Sequence, residues 1–288
     1  MQPQHHYWKG LSPAGFHKLH YTQWGDPHNP KVLICLHGLS RNCRDFDYLA
    51  NYLSEDYRII CPDMPGRGQS EWLTDPNFYT YPQYLADLTG LIARLNSDNI
   101  NWLGTSMGGI IGMLMAAQSN TPIKSLIIND VGAFIPAAPL KRIIRYVSHS
   151  PIFPSYAKAK HYLKQILSTF GIKDDKDWDH LAHHSIIEID QQHFRLHHDP
   201  KIITHFTAED VNLWPYWEAL SCPTLIIRGK ESELFPKEIA DRMLKKANTN
   251  LITLEGSGHA PHLMSVDHVA PISQWLRHCA EPQLQLIS

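Results

Sequence analysis

Several classes of protein are excluded by what this sequence lacks. It contains no uninterrupted apolar segment of the ~20 residues that a helix needs to cross a bilayer. Its formal net charge is −2, so it carries no excess of positive charge to attract nucleic acid or an anionic membrane surface. We therefore expect neither nucleic acid nor a membrane among its partners.

Cysteine motifs and metal motifs are also missing. The five cysteines include no Cys-x-x-Cys pair, and we expect them to be reduced thiols, three of them in strand-like apolar runs. The nineteen histidines form no His-Glu-x-x-His motif, and we expect no metal and no other cofactor. Residues 1–10 are polar and lack the apolar centre of a signal peptide, so the expected location is cytoplasmic.

Strand-like and helix-like segments alternate through much of the 288-residue chain. Continuous apolar runs such as residues 31–37 and 123–129 predict strands that are buried on both faces of a parallel sheet. Amphipathic segments follow several of these runs, and one has apolar residues at helical spacing: Leu85, Leu88, Ile92 and Leu95. The pattern predicts an α/β fold whose mostly parallel central sheet has helices on both faces.

The alternation stops between residues 134 and 216, where the sequence predicts amphipathic helices and no further strands of the sheet. It resumes near Cys222. We interpret residues 1–133 and 217–288 as the core domain, and residues 134–216 as an inserted helical cap. Because the insertion starts where a strand ends, we expect the cap to cover the carboxyl edge of the sheet, with a pocket beneath it.

One segment carries a recognisable chemical pattern. Gly104-Thr105-Ser106-Met107-Gly108 follows an apolar strand-like run and precedes a helix-like run rich in small residues. A serine at a sharp strand-to-helix turn exposes its hydroxyl, and the helix start directs free N–H groups to the same point. The pattern predicts that Ser106 is a nucleophile and that the Met107 N–H stabilises an oxyanion.

Together with three other motifs, this pattern resembles the α/β-hydrolase family. The other motifs are His37-Gly38-Leu39 after one predicted strand, the segment 63–70 after the next, and Gly258-His259 near the end. The resemblance spans residues 16–279. Within the family, the chain is similar to the capped bacterial carboxylesterases and meta-cleavage-product hydrolases, which place a helical cap between the sixth and seventh strands.

The resemblance implies roles for particular residues. His259 would be the general base, and the N–H groups of Leu39 and Met107 would form the oxyanion hole. The acid that orients the histidine is open between two positions. Asp130, after the predicted sixth strand, is preferred, and Glu233 is the alternative.

The acid is ambiguous because the usual family position, three residues after Gly229, holds Ser232. A serine cannot supply the negative charge that stabilises a histidinium ion. Substrate-binding candidates come from the loops and the predicted cap: His37, Arg41, Phe134, Tyr146 and Trp214. His37 fits a support for its loop better than a proton carrier.

These residues predict a serine hydrolase that cleaves small to medium carboxylic esters through an acyl-enzyme on Ser106. A carbon–carbon bond hydrolase, a lactonase, an amidase or a perhydrolase would use the same triad. A ligand-binding sensor on a hydrolase fold and a metal-dependent hydrolase are alternatives from other classes. The expected partner is a small-molecule ester, and the expected assembly is a monomer or a homodimer.

Overall fold

The computed structural model describes residues 2–280 of the chain. Up to residue 129 the chain forms three strands in succession and then alternates between helices and strands. The elements are β1 (Gln4–Ser12), β2 (Gly15–Trp24), β3 (Val32–Leu36), α1 (Asp47–Leu53), β4 (Arg58–Asp63), α2 (Tyr81–Leu95), β5 (Ile100–Thr105), α3 (Met107–Ala116) and β6 (Ile123–Asn129). The start of α2 is fixed by a capping side chain and a proline. The Thr80 side chain accepts a hydrogen bond from the Gln83 N–H, and Pro82 lies in the first turn.

The segment between residues 134 and 219 is mainly helical. Its elements are β7 (Phe134–Ile135), α4 (Ala137–Ser148), α5 (Tyr156–Ile166), α6 (Asp175–Ser185), β8 (Ile186–Asp190), β9 (His193–Leu196), β10 (Val211–Asn212) and α7 (Trp214–Ala219). The chain then returns to the alternating pattern with β11 (Thr224–Gly229), α8 (Lys237–Met243), β12 (Thr249–Leu254) and α9 (Val266–Ala280). Short 3₁₀ helices lie at Cys43–Phe46, Pro76–Phe78, Ser168–Phe170 and Pro200–Ile203.

The central sheet has eight strands in the order β1-β2-β4-β3-β5-β6-β11-β12. β2 pairs antiparallel with both β1 and β4. The pairs from β4 to β12 are all parallel. The carboxyl ends of these parallel strands therefore meet at one edge, where α/β proteins place their sites.

Both faces of the sheet are covered, which explains the uninterrupted apolar runs in the sequence. In β3, Leu33 belongs to a buried cluster that includes residues of α1 and α9, whereas Ile34 belongs to a second cluster with residues of α2 and α3. Successive side chains of a strand point to opposite faces, so both faces require apolar residues. The predicted α/β fold with a mostly parallel sheet is confirmed.

The inserted segment (residues 134–216) has a small core of its own. Leu163 of α5, Leu181 of α6 and Leu196 of β9 pack together, and the cluster includes Met264 from the stretch before α9. Because Met264 is outside the inserted segment, this cluster also attaches the segment to the carboxyl edge of the sheet.

Two features of the fold differ from the sequence-based expectation. The sequence pattern predicted neither β1, where only Trp8, Gly10 and Ser12 are buried, nor the hairpin of β8 and β9 within the inserted segment. Both elements are largely exposed and polar, so they lack the apolar pattern of a buried strand. Helix α7 (Trp214–Ala219) runs across residue 216, where the sequence places the end of the predicted cap. Across residues 2–280, no helix is both long enough and apolar enough to cross a bilayer.

Candidate active site

Ser106 occupies the turn between β5 and α3, and its backbone conformation is strained. Its φ of 53° and ψ of −113° lie outside the regions that residues with a Cβ normally adopt. The Ser106 N–H donates to the Asn129 carbonyl (2.9 Å), so the end of β6 holds the turn in place. Such a turn presents the serine hydroxyl above the edge of the sheet.

The two glycines that flank Ser106 are required by close packing of backbone on backbone. A Cβ on Gly104 would lie 2.1 Å from the Gly108 carbonyl carbon, and a Cβ on Gly108 would lie 2.1 Å from the Leu36 carbonyl oxygen. Backbone atoms cannot rotate away from such a clash. The Gly-x-Ser-x-Gly spacing is therefore explained by the contact of α3 with β5 and β3.

Two backbone N–H groups are positioned beside this serine. Met107 is the first residue of α3, so its N–H has no acceptor within the helix. Leu39 lines the same cavity as Ser106. The residue before it, Gly38, is also close to the serine, because a Cβ placed on Gly38 would lie 3.7 Å from Ser106 Cβ. The Leu39 carbonyl accepts from the buried Arg67 Nε (2.8 Å), which fixes the orientation of this turn. The structure thus places both Leu39 and Met107, the predicted oxyanion residues, next to the serine.

His259 is oriented by a buried carboxylate. Its Nδ1 lies 2.8 Å from Asp130 Oδ2, and His259 lines the cavity that contains Ser106. Asp130 is fully buried and follows β6 directly, with a left-handed φ of 57°. Its other oxygen, Oδ1, accepts from the Gly229 N–H (2.8 Å). A carboxylate in this position selects the histidine tautomer that has its proton on Nδ1 and leaves Nε2 free to act as a base.

The alternative acid, Glu233, lies elsewhere. Its side chain is 66% exposed and pairs with Arg142 at 2.6 Å. Ser232, the residue before Glu233, is the one whose side chain points into the protein. Its Oγ donates to Asp130 Oδ2 (2.6 Å) and accepts from the Phe235 N–H (3.2 Å). Of the two acids that the sequence left open, Asp130 is therefore the one in contact with His259.

Two polar residues that the sequence analysis missed connect the segments of the site. Asn129 Nδ2 donates both to Thr105 Oγ1 (3.1 Å) and to the Pro261 carbonyl (3.0 Å), linking the serine turn to the histidine loop. Thr169, in the inserted segment, donates through Oγ1 to the His259 carbonyl (2.5 Å). The sequence did hold a sign of a role for Asn129, which precedes Asp130 at the end of a predicted strand. It held no such sign for Thr169.

His37, one of the substrate-binding candidates, is not among the residues that line the Ser106 cavity. Its ring is fully buried, with Nδ1 2.7 Å from the Gly38 carbonyl and Nε2 3.0 Å from the Met64 N–H. Burial lowers the pKa of His37 to about 4. A neutral ring that donates from Nδ1 and accepts at Nε2 satisfies both contacts, so His37 joins the loops after β3 and β4.

Two of the substrate-binding candidates, Tyr146 and Arg41, line the Ser106 cavity. Burial raises the pKa of Tyr146 to about 12, so its phenol stays neutral. The Arg41 guanidinium is already held by Asp45 through contacts of 2.9 and 2.6 Å. The remaining wall is mainly apolar and includes residues from the inserted segment and from the histidine loop: Ile143, Phe170, Leu181, Leu263 and Met264.

Phe134 and Trp214 are not among the residues that line this cavity. Phe134 belongs to β7 and is paired with Asn212 of β10. The Trp214 ring is covered by the Arg242 guanidinium, 3.6 Å from the ring centroid. The residues of α4 and α6 that line the cavity are Ile143, Tyr146 and Leu181. The aromatic side chains of Phe134 and Trp214 therefore pack within the protein at other places and do not form part of this cavity.

Two clusters within residues 2–280 bring together three side chains that could hold a metal ion: His20, Cys43 and Asp63, and Asp47, His180 and His184. Neither cluster includes a residue of the Ser106 cavity. Asp63 accepts from the Cys43 N–H (2.7 Å) and from His20 Nδ1 (2.7 Å), and Asp47 is paired with Arg44. The carboxylates in both clusters thus already have protein partners.

The sheet order and the strained serine turn are those of an α/β hydrolase, and comparisons with known proteins agree. A sequence model of the α/β-hydrolase fold matches residues 31–265. A 3-hydroxybutyrate-oligomer hydrolase of Cupriavidus necator is 38% identical over 277 residues, which cover 92% of this chain and 94% of the relative.

Two solved structures are similar over nearly their whole length. A putative hydrolase of Rickettsia typhi has a TM-score of 0.90 and 39% identity, with 96% of this chain and 99% of that chain covered. An α/β hydrolase of Novosphingobium aromaticivorans has a TM-score of 0.85 and 33% identity, with 96% and 98% covered. The chain therefore belongs to the α/β-hydrolase family.

Proposed function

We propose that this hydrolase is a serine esterase that cleaves short linear hydroxyalkanoate esters through an acyl-enzyme on Ser106. The observation that carries the proposal is the 2.8 Å contact between His259 Nδ1 and Asp130, at a cavity that His259 shares with Ser106. The substrate class is supported by the relative from Cupriavidus necator, whose name refers to 3-hydroxybutyrate oligomers.

In the proposed acylation step, Ser106 Oγ attacks the ester carbonyl while His259 Nε2 takes its proton. Asp130 stabilises the resulting imidazolium ion. The charge that develops on the carbonyl oxygen is stabilised by the N–H groups of Leu39 and Met107, which need no reorganisation during the reaction.

Acylation is completed when His259 gives the proton to the departing alcohol oxygen. In the second step, His259 removes a proton from water, which attacks the acyl-enzyme. The bond from the acyl carbon to Ser106 Oγ then breaks, His259 gives the proton back to Ser106 Oγ, and the acid is released. The inserted segment contributes Ile143, Phe170 and Leu181 to the wall of the cavity. We propose that the segment acts as a cap that excludes bulk water and contacts the aliphatic part of the substrate.

The direct test compares wild type with Ser106→Ala on two substrates, the 3-hydroxybutyrate trimer and 4-nitrophenyl butyrate. The variant should lose roughly 10⁴-fold or more in kcat, because the nucleophile is gone. Ser148→Ala, an exposed serine of α4, is the control and should retain full activity. Near wild-type turnover by Ser106→Ala would remove Ser106 from the mechanism.

A labelling experiment separates an enzyme from a ligand-binding sensor with the same fold. A fluorophosphonate probe reacts with a serine only when its base is aligned, so wild type should be labelled and Ser106→Ala should not. A lactone, an anilide and a ring-fission diketone test the other reactions open to this triad. Faster turnover of any of them than of the trimer would contradict the proposed substrate class.

A further inference from the structure

A second cavity adjoins the Ser106 cavity on the side of His259. The two cavities share Ile143, Tyr146 and His259, and the second has a volume of about 450 Å³. We call it the side groove, and define it as the space between α4, Thr169 and residues 231–234. It contacts neither Ser106 nor the loop of Leu39, so it extends from the base and away from the oxyanion donors.

The two walls of the side groove have opposite charges. Arg142 and Arg145 lie on the α4 wall, and Glu231 and Glu233 lie on the wall that follows β11. Arg142 is paired with Glu233. Within residues 2–280, Arg145 has no carboxylate within ion-pair distance. The Arg145 guanidinium on the α4 wall is therefore available to bind a negatively charged ligand.

The chemistry of the proposed reaction determines which part of the substrate meets this wall. A hydroxyalkanoate oligomer has a hydroxyl at one end and a carboxylate at the other. When an internal ester is cleaved, the acyl part, with the hydroxyl end, becomes attached to Ser106. The alcohol part, with the carboxylate end, is released after protonation by His259. The departing part is therefore on the side of His259, where the side groove begins.

We propose that Arg145 is the binding residue for the terminal carboxylate of the substrate, and that the side groove holds the alcohol part. The inference rests on the proposed function. In this arrangement Ser106 Oγ first bonds to the acyl carbon, and the bond from that carbon to the ester oxygen breaks when the oxyanion reverts to a carbonyl. The proton of Ser106 passes through His259 to the ester oxygen, and a hydroxy acid leaves along the groove.

The experiment compares the 3-hydroxybutyrate trimer as free acid with its methyl ester, which has the same length but no negative charge. Arg145→Ala should raise the KM for the free acid by about fivefold, the size expected for a partly solvated guanidinium–carboxylate pair. The KM for the methyl ester should stay within about twofold of wild type. Lys141→Ala is the matched control, since Lys141 is an exposed cation of α4 that does not line the groove.

Two further variants give a graded series. Arg145→Lys should fall between wild type and Arg145→Ala, because lysine keeps the charge but loses the planar fork. Arg145→Glu should raise the KM for the free acid further than Arg145→Ala does. Added salt should weaken the preference of wild type for the free acid, and should affect Arg145→Ala less.

Binding to Ser106→Ala, measured by calorimetry, tests the groove without turnover. The free acid should bind that variant more tightly than the methyl ester, and the additional Arg145→Ala substitution should remove the difference. Equal binding of the two ligands, or an equal effect of Arg145→Ala on both, would overturn the inference. Failure of wild type to hydrolyse either trimer would overturn the proposed function, while the binding result would still decide the role of Arg145.

Discussion

Ser232 Oγ lies 2.6 Å from Asp130 Oδ2, the same oxygen that contacts His259 Nδ1 at 2.8 Å. Ser232 occupies the position, three residues after Gly229, at which the family commonly has its acid. In this chain that position carries a hydrogen-bond donor to Asp130, an acid that directly follows the neighbouring strand β6. Because the Asp130 carboxylate is fully buried, each of its donors helps to fix its orientation.

Ser232→Ala should therefore lower kcat on 4-nitrophenyl butyrate by about tenfold and leave KM nearly unchanged. The loss corresponds to one hydrogen bond to a charged group, and it acts through the orientation of Asp130 and His259. Ser232→Thr, which keeps the hydroxyl, should recover much of the loss. Steady-state kinetics of the two variants measure both effects.

The matched control for Ser232 is Ser125→Ala. Ser125 is also buried and donates to Asn101 Oδ1 (2.6 Å), but it lies at the opposite end of β6 from Asp130. Both alanine variants should lose similar stability in urea unfolding, whereas only Ser232→Ala should lose kcat. Equal activity of the two would show that Ser232 has a structural role alone.

The choice between the two acids has an equally direct test. Asp130→Asn should reduce kcat by roughly 10³- to 10⁴-fold, because an amide stabilises the wrong histidine tautomer. Glu233→Gln should change kcat on 4-nitrophenyl butyrate by less than about twofold, since it breaks only an exposed ion pair. The opposite ranking of the two variants would assign the acid to Glu233.

The sequence predicted the order of strands and helices well because their periodic apolar patterns reflect burial on one or two faces. It also singled out Ser106 and His259 as candidate catalytic residues, because each lies close to glycines after a strand. The acid could not be decided in the same way. Asp130 meets Gly229 and Ser232 across about 100 positions of sequence, and the direction of its side chain depends on a left-handed backbone at residue 130.

The inserted segment was the least predictable part for a similar reason. Tyr146 reaches the Ser106 cavity, whereas Phe134 and Trp214 pack elsewhere, although all three are aromatic residues of the same segment. Which residues face the sheet depends on how α4 and α6 are attached to the core. That attachment relies on contacts such as the hydrogen bond from Thr169 to the His259 carbonyl. A contact between residues so far apart in sequence leaves no local sequence pattern from which it could be predicted.

The packing of the serine turn predicts a contrast between two helical glycines. Gly108→Ala should destabilise the protein by about 1–3 kcal/mol, because its Cβ would press on the Leu36 carbonyl 2.1 Å away. Gly90→Ala in α2 should instead stabilise it by about 0.5–1 kcal/mol. The nearest atom to a Cβ on Gly90 is a Trp8 side-chain atom at 3.9 Å, an ordinary contact.

Urea unfolding of both variants measures this contrast. Gly108→Ala should also lose activity, since the shift of α3 would displace the Met107 N–H from Ser106. If Gly108→Ala were as stable and as active as wild type, the close approach of α3 to β3 would not be needed for the turn.

The buried His37 predicts that stability falls in mild acid. Its folded pKa of about 4 is below the value of 6.5 for a free histidine, so between these pH values the unfolded chain binds the proton that the folded protein excludes. The contribution of His37 is therefore fully present above pH 6.5 and is lost as the pH falls toward 4. Between pH 7 and pH 5 the loss should be about 2 kcal/mol.

His37→Asn should be less stable than wild type at pH 7, but should lose about 2 kcal/mol less between pH 7 and pH 5. Urea unfolding at several pH values gives both slopes, and identical slopes would show that His37 is not the group that takes up the proton.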